Sequence, residues 1–328
     1  MGEVRTKYEV FTMTTGQLTD VIGTALASAI RAPSPHNTQP WRFEVRPGRI
    51  DVLLDRHRIL RAADPGGREA RLACGAALFN LRAALHAAGQ ATAVDLRPAG
   101  KPERVATVWL TGAHTPTAED LMLAMAVEQR HTNRRVFTGR PVADEVRDAL
   151  VRAAVLEGGG LLVVDDPARL DAIATLLAEA QDRQRQDAEF CVELSYWTTS
   201  FPGRDDGVPV ALGGPRPGAD GLAAASPCRT DTVAPQRLPL VGVLVSPSDT
   251  SQDVVRAGQA LQRVLLTGTS AGVSASFLSP LTEVGRARRA LRAQVTRIGQ
   301  PQAVLRFGYG QQTAPTPRRP VRAVSRPV

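Results

Sequence analysis

The sequence predicts an α+β fold made of two related units in one chain. Two observations carry this. Segments with the i, i+3, i+4 apolar spacing of helices alternate with short strand-like runs through most of the chain. Two of the helical segments also match each other: Gly75-Ala-Ala-Leu78 opens a run that stops at Ala88-Gly89, and Gly258-Gln-Ala-Leu261 opens one that stops at Ala271-Gly272. Each is preceded by a strand and followed by two, so one α+β unit is expected to occur twice. Measured between corresponding positions upstream of these glycines, the second copy is longer by 62 residues.

The elements follow in order. Leu18, Val21, Ile22, Ala25, Leu26, Ala29 and Ile30 trace an amphipathic helix that Pro33 and Pro35 must end. Strands at 42–46 and 50–54 are joined by Pro47-Gly48. A helix spans Arg68 to Ala88 with Gly89 as its stop, and strands at 92–96 and 105–110 follow. Thr117-Ala118-Glu119-Asp120 reads as a capping box for a helix near 121–128. A helix at 146–156, a strand at 161–164 and one long helical region from Ala168 towards Ser195 come next. The stretch 201–239 is rich in Gly and Pro and has no sustained period, which suits a lid, a binding loop or a disordered surface insertion. Strand 241–245, helix 254–271, strand 274–278, helix 283–298 and strand 303–309 complete the chain. The expected organisation is a flexible segment 1–16, a first unit 17–112, a second unit 117–310 with a lid insertion at about 201–239, and a flexible basic tail 311–328. Met13 is an alternative start to Met1, since Met13-Thr-Thr-Gly leads directly into the first helix.

Composition excludes several classes. With 328 residues, 43% hydrophobic and 22% charged, the chain can bury a large core. No apolar run approaches a membrane span, and residues 1–16 lack the apolar core of a signal peptide, so a cytoplasmic protein is expected. Three scattered cysteines make neither a disulfide framework nor a zinc knuckle. The net charge of +8 raises nucleic acid as a partner, but Arg318, Arg319, Arg322 and Arg326 in the tail supply half of it. Aromatic residues are only 4%, too few for a base-stacking surface, so nucleic acid is not expected.

Two segments concentrate chemistry. In Ala32-Pro-Ser-Pro-His-Asn-Thr-Gln-Pro-Trp41 the prolines fix a turn that holds Ser34, Asn37 and Gln39. Either it is a helix stop with an Asx-type turn, or its amides meet the polar edge of a planar heterocycle. In Arg130-His-Thr-Asn-Arg-Arg135, guanidinium forks and a hydroxyl suit a phosphate dianion, and a solvated basic loop is the alternative. Arg306 stands in the last strand, within Arg306-Phe-Gly-Tyr-Gly310.

These motifs resemble the FMN-dependent nitroreductases, and most closely the Acg-type nitroreductase-like proteins of actinobacteria. The first segment resembles their flavin-edge motif, and Arg130-His-Thr-Asn-Arg134 their phosphate motif. Leu278-Ser-Pro-Leu281 and Arg306-Phe-Gly-Tyr-Gly310 resemble their later flavin loop and closing strand. The resemblance covers residues 17–310 and implies a nitroreductase-like fold, duplicated here as a monomeric pseudo-dimer. It implies an FMN site lined by Pro33, Ser34, Pro35, Asn37, Gln39, Arg130, His131, Thr132, Arg134, Leu278, Ser279, Pro280, Leu281 and Arg306. Each unit carries only half of that set, so one FMN per chain is expected. The implied reaction is a ping-pong transfer of hydride from NAD(P)H through flavin N5 to a flat small-molecule acceptor such as a quinone or nitroaromatic, with the chemistry on the cofactor. The alternative is a flavin store whose loop 201–239 covers the cofactor.

Overall fold

The computed structural model describes residues 15–96, 101–199, 203–212, 239–296, 298–311 and 314–328. Of the segment expected to be flexible over 1–16, residues 1–14 lie outside them and Thr15 and Gly16 already belong to the first helix; most of the insertion 201–239 also lies outside. Helix α1 (Thr15–Ala29) leads into strands β1 (Trp41–Arg46) and β2 (Arg49–Leu54), then helix α2 (Arg68–Ala87) and strands β3 (Gln90–Asp95) and β4 (Arg104–Ala113). Helices α3 (Ala118–Gln129) and α4 (Asp144–Leu156) precede strand β5 (Gly160–Val164). Helices α5 (Pro167–Gln186) and α6 (Ala188–Trp197) are followed by short strands β6 (Thr198–Thr199) and β7 (Val208–Pro209). Strand β8 (Leu240–Ser246), helix α7 (Ser251–Ser270), strand β9 (Ser274–Phe277), helices α8 (Pro280–Glu283) and α9 (Gly285–Leu291), and strand β10 (Gln300–Gly308) come next. Helix α10 (Val321–Val324) and strand β11 (Ser325–Pro327) end the chain.

Two main sheets result. One has the order β11-β1-β2-β4-β3, antiparallel except where β11 joins β1; the other is antiparallel, β5-β8-β10-β9. Trp41, Phe43, Ile50 and Val52 of the first sheet pack with Ala25 and Ala29 of α1 and Leu78, Leu81 and Leu85 of α2. The second sheet is covered on both faces. Leu150 of α4 and Leu261 and Val264 of α7 meet Leu244 and Leu305, while Ile173 and Leu177 of α5 meet Val241, Val243 and Val304. Alternation of inward residues along β8 and β10 produces these two faces. Between the sheets lie α2 and α7, joined by a buried hydrogen bond from Gln262 Nε2 to Asn80 Oδ1 (2.7 Å).

Three expectations need correction. The single helix expected at 168–195 is two, because Asp187 leaves the helical conformation and its carboxylate caps α6 by accepting from the Phe190 N–H (3.0 Å). The helix expected at 283–298 is likewise broken, into α8, α9 and a π-helical turn, Arg292–Thr296. The tail is not a flexible arm. Residues 325–327 pair in parallel with 43–45, and Val324 enters the first core, so ladder hydrogen bonds and apolar burial hold it. Among the described residues, no helix is long and apolar enough to cross a membrane.

Candidate functional site

The turn after α1 is built against backbone preference. His36, Asn37 and Gln39 have φ of 46°, 56° and 51°, the left-handed region that side chains disfavour. Such strain persists only where surrounding contacts fix it. Here Ser34 Oγ accepts from the Gln39 N–H (2.9 Å). Asn37 Nδ2 donates to the carbonyls of Gly207 (2.9 Å) and Pro317 (3.0 Å). Gln39 Nε2 donates to the Asp205 carbonyl (2.8 Å), and its Oε1 accepts from the Arg319 N–H (2.9 Å). Both side-chain amides thus clamp the turn between the 203–212 segment and the tail.

Beside this turn lies a cavity of about 530 Å³, lined by residues from β9 and β10 of the second sheet, from α2, α5, α6 and α8, and from the tail. It brings together Pro33, Ser34, Pro35, Asn37, Arg130, His131, Thr132, Arg134, Leu278, Ser279 and Pro280. Gln39, Leu281 and Arg306 do not line it. Leu281 is fully buried in the core beneath the second sheet. Arg306 lies behind the wall: its guanidinium donates to the carbonyls of Arg134 (3.4 Å) and Arg135 (3.1 Å) and stacks on Phe137. It therefore holds the Arg134 backbone. Gly308 is required there, since a Cβ would stand 2.7 Å from the Phe137 ring.

One end of the cavity is strongly cationic. Arg130, at the C-terminus of α3, donates through Nη2 to the Arg31 carbonyl (3.1 Å), while its buried Nε has no partner among the described residues. Thr132 bridges to Ala275, and the Asn133 N–H donates to the Ala275 carbonyl (3.0 Å), fastening the loop to β9. Arg318 reaches in from the tail and donates to the carbonyls of Arg31 (3.3 Å) and Ala32 (3.2 Å). Burial and the neighbouring Arg134 pull the Arg130 guanidinium down to about 10. Burial, with Arg130, Arg31 and Arg134 nearby, pulls Arg318 down to about 9. Among the described residues, none of Arg130, Arg134 and Arg318 pairs with a carboxylate. Sequence reasoning missed Arg318 because it treated the tail by charge alone. The signal was Pro315, Pro317 and Pro320, whose fixed φ favours an extended, rigid segment.

Another part of the wall is carboxylic. The side chains of Glu69 of α2 and Glu283 of α8 are buried, with Arg68 as the neighbouring cation. Arg68 Nη2 donates to Glu69 Oε1 (2.6 Å), and Gln184 Nε2 donates to Glu283 Oε2 (2.6 Å). Burial and the Glu69 charge push the Glu283 carboxyl up to about 8, so it is largely protonated at neutral pH. His36, 3.9 Å from Glu283, is pushed down to about 4 by burial and Arg134 and stays neutral. Apolar walls from Leu72, Leu177, Phe190, Val208 and Val210 complete the cavity. The arrangement suits a flat ligand with an anionic end.

No family model matches the sequence. An uncharacterized protein of Mycobacterium tuberculosis is 33% identical over 317 residues, covering 92% of this chain and 91% of that one. The protein provisionally named NAD(P)H nitroreductase Acg, from the same organism, is 32% identical over 316 residues, covering 92% and 94%. Among solved structures, the FMN-dependent nitroreductase NfnB of Mycobacterium smegmatis, in complex with NADPH, is 20% identical with a TM-score of 0.41, covering 62% of this chain and 98% of its own. A provisionally named nitroreductase of Desulfovibrio desulfuricans, in complex with FMN, is 16% identical with a TM-score of 0.38, covering 61% and 93%. With a third of its residues shared over nearly its whole length, the chain belongs to the Acg-type nitroreductase family.

Proposed function

We propose that the cavity binds one FMN per chain, and that the protein is a flavoprotein oxidoreductase using NAD(P)H to reduce a flat acceptor. The observation that carries this is the group of Arg130, Arg134 and Arg318, which crowd one another without a carboxylate among the described residues. Like charges in a buried site are costly unless a ligand neutralises them, and a phosphate dianion does so with charge-assisted hydrogen bonds. The Nε groups of Arg130 and Arg318, which have no partner among the described residues, provide donors for it. The cavity volume lies within the range of small-molecule sites, and its apolar walls suit a planar ring. The residues present therefore fit FMN.

FMN, when bound, supplies two-electron chemistry between a nicotinamide and the acceptor. The chain's own part is positioning and charge. Arg130, Arg134 and Thr132 hold the phosphate, with Arg318 as a fourth group and Arg306 bracing the Arg134 backbone. The strained turn at Ser34 to Gln39 shapes the wall at Pro33 to Asn37, and the 278–280 loop supplies another part of it. The protonated Glu283 keeps this part of the cavity free of a full second negative charge.

The two α+β units are read here as a duplicated nitroreductase-like unit, a pseudo-dimer in one chain, with unit boundaries at 17–112 and 117–310. Support comes from helices of equal length at corresponding places, each ending in Ala-Gly with the glycine at positive φ, and from a cavity shared between both halves. A monomer follows from that reading, since the duplication already supplies the second unit.

A second reading, flavin storage, is favoured by the 203–212 segment. Val208 and Val210 line the cavity, and the segment is latched to the first unit by Arg58–Asp206 (2.9 Å) and the Asn37 and Gln39 amides. Titration of apo-protein with FMN, followed by anaerobic NAD(P)H bleaching, tests both. One tightly held flavin per chain is expected; failure to retain FMN overturns the proposal, and retention without bleaching selects storage.

A further inference from the structure

At the opposite end of α3 from Arg130, three side chains from separate elements converge. His86 lies in the last turn of α2, His114 follows β4, and Asp120 lies in the first turn of α3. His114 Nε2 is 2.9 Å from Asp120 Oδ2, and His86 Nδ1 is 3.7 Å from Asp120 Oδ1. The two imidazole centroids are 4.9 Å apart, and one ligand atom from each of the three residues lies within 4.8 Å of the others.

We propose that His86, His114 and Asp120 form a three-ligand site for a divalent transition metal of the zinc class, with water completing the coordination. Metal–ligand bonds of about 2.0–2.2 Å set tetrahedral ligand atoms about 3.4 Å apart, so small rotations of the two rings bring the donors to bonding positions. Two imidazoles and one carboxylate select Zn²⁺, Co²⁺ or Ni²⁺ over Mg²⁺ and Ca²⁺, which require mainly oxygen.

Surrounding groups orient these donors as metal sites require. The second ring nitrogen of His86, Nε2, is 2.8 Å from Thr92 Oγ1, which leaves Nδ1 turned towards Asp120. The Asp120 carboxylate accepts from the Thr117 N–H (2.9 Å) and hydroxyl (2.7 Å) of the capping box. The His114 N–H donates to the Gly89 carbonyl (2.8 Å), which fixes its backbone beside the end of α2. All three side chains remain partly exposed, so an ion can reach them.

The placement indicates a structural role. Helix α3 joins the two sheet-bearing halves, and ten residues, about 15 Å of helix, separate Asp120 from Arg130. A metal here would pin the N-terminus of the helix whose C-terminus presents Arg130 to the cavity. It would not take part in flavin chemistry.

The test uses tag-free, full-length protein treated with chelator. Titration with Co²⁺ should give visible d–d absorption that saturates at one equivalent and is displaced by Zn²⁺ but not by Mg²⁺. Zn²⁺ should also raise the thermal midpoint. His114→Ala, in a loop, and His86→Asn should each weaken binding at least tenfold, while His57→Ala retains it. Circular dichroism confirms that the variants fold; should one fail, the other carries the comparison. No saturable Co²⁺ absorption in the wild-type protein, or unchanged binding in both folded variants, would leave the cluster an ion pair and overturn the proposal.

Discussion

Gly75 and Gly258 meet face to face where α2 crosses α7. A Cβ on Gly75 would stand 2.1 Å from the Val255 carbonyl oxygen and 2.9 Å from the Gly258 Cα. A Cβ on Gly258 would stand 2.1 Å from the Leu72 carbonyl oxygen and 2.8 Å from the Gly75 Cα. The contact is reciprocal, and it is backbone on backbone, so no side chain can rotate away to relieve it. This crossing sets the spacing between the halves that share the cavity.

Alanine at either position must push the helices apart. Gly75→Ala and Gly258→Ala are each expected to destabilise the fold by about 3 kcal/mol. Because one separation accommodates both methyl groups, the double variant should cost less than the sum. Urea unfolding of the three variants measures this, and additivity would show that the two glycines do not share a contact.

The cationic end of the cavity makes a second prediction. Arg130→Ala, Arg134→Ala and Arg318→Ala should each weaken FMN binding by about one to two decades, the value of a charge-assisted hydrogen bond of about 1.5–3 kcal/mol. Fluorescence titration of apo-protein reads the dissociation constants. Unchanged affinity in all three variants would remove the phosphate assignment.

Glu283 gives the fold a pH dependence. Its folded carboxyl keeps its proton up to about pH 8, whereas in the unfolded chain it ionises near 4.5. Between those values the folded state binds more protons, so the contribution to stability falls as pH rises through the window, at most about 1.4 kcal/mol per pH unit. Glu283→Gln should flatten the profile over this range while keeping an acceptor for Gln184. Thermal midpoints of both proteins from pH 5 to about 8 test the sign; a parallel pair of profiles would mean that Glu283 ionises normally.

The latch at Asp206 controls access if the 203–212 segment covers the flavin. Asp206 accepts from Arg58 Nη2 (2.9 Å) and from Arg204 Nε (2.9 Å). Asp206→Ala should loosen the segment and speed anaerobic bleaching of bound flavin by dithionite or NAD(P)H. Equal stopped-flow rates in variant and wild type would separate this segment from flavin access.

The sequence by itself determined most of the local structure and half of the site. Apolar period placed the helices and strands, the prolines at 33 and 35 ended α1, and Thr117 and Asp120 announced the capping box at the start of α3. The clustering of arginines at 130–135 marked the cationic loop, because local composition is enough to show a charge. Tertiary structure alone decided which charges meet. Arg318 lies 188 positions after Arg130, yet both guanidiniums donate to the Arg31 carbonyl, because β11 pairs with β1 and draws the tail across the first sheet. Arg306, which sits in a legible motif, is turned by its strand register behind the cavity wall, where it supports Arg134 through backbone carbonyls. The same holds for Asn37 and Gln39, whose amides are committed to carbonyls more than 160 positions away. Periodicity reports what a residue's neighbours along the chain require, whereas convergence of distant polar groups depends on sheet pairing and helix crossing, which no local pattern encodes.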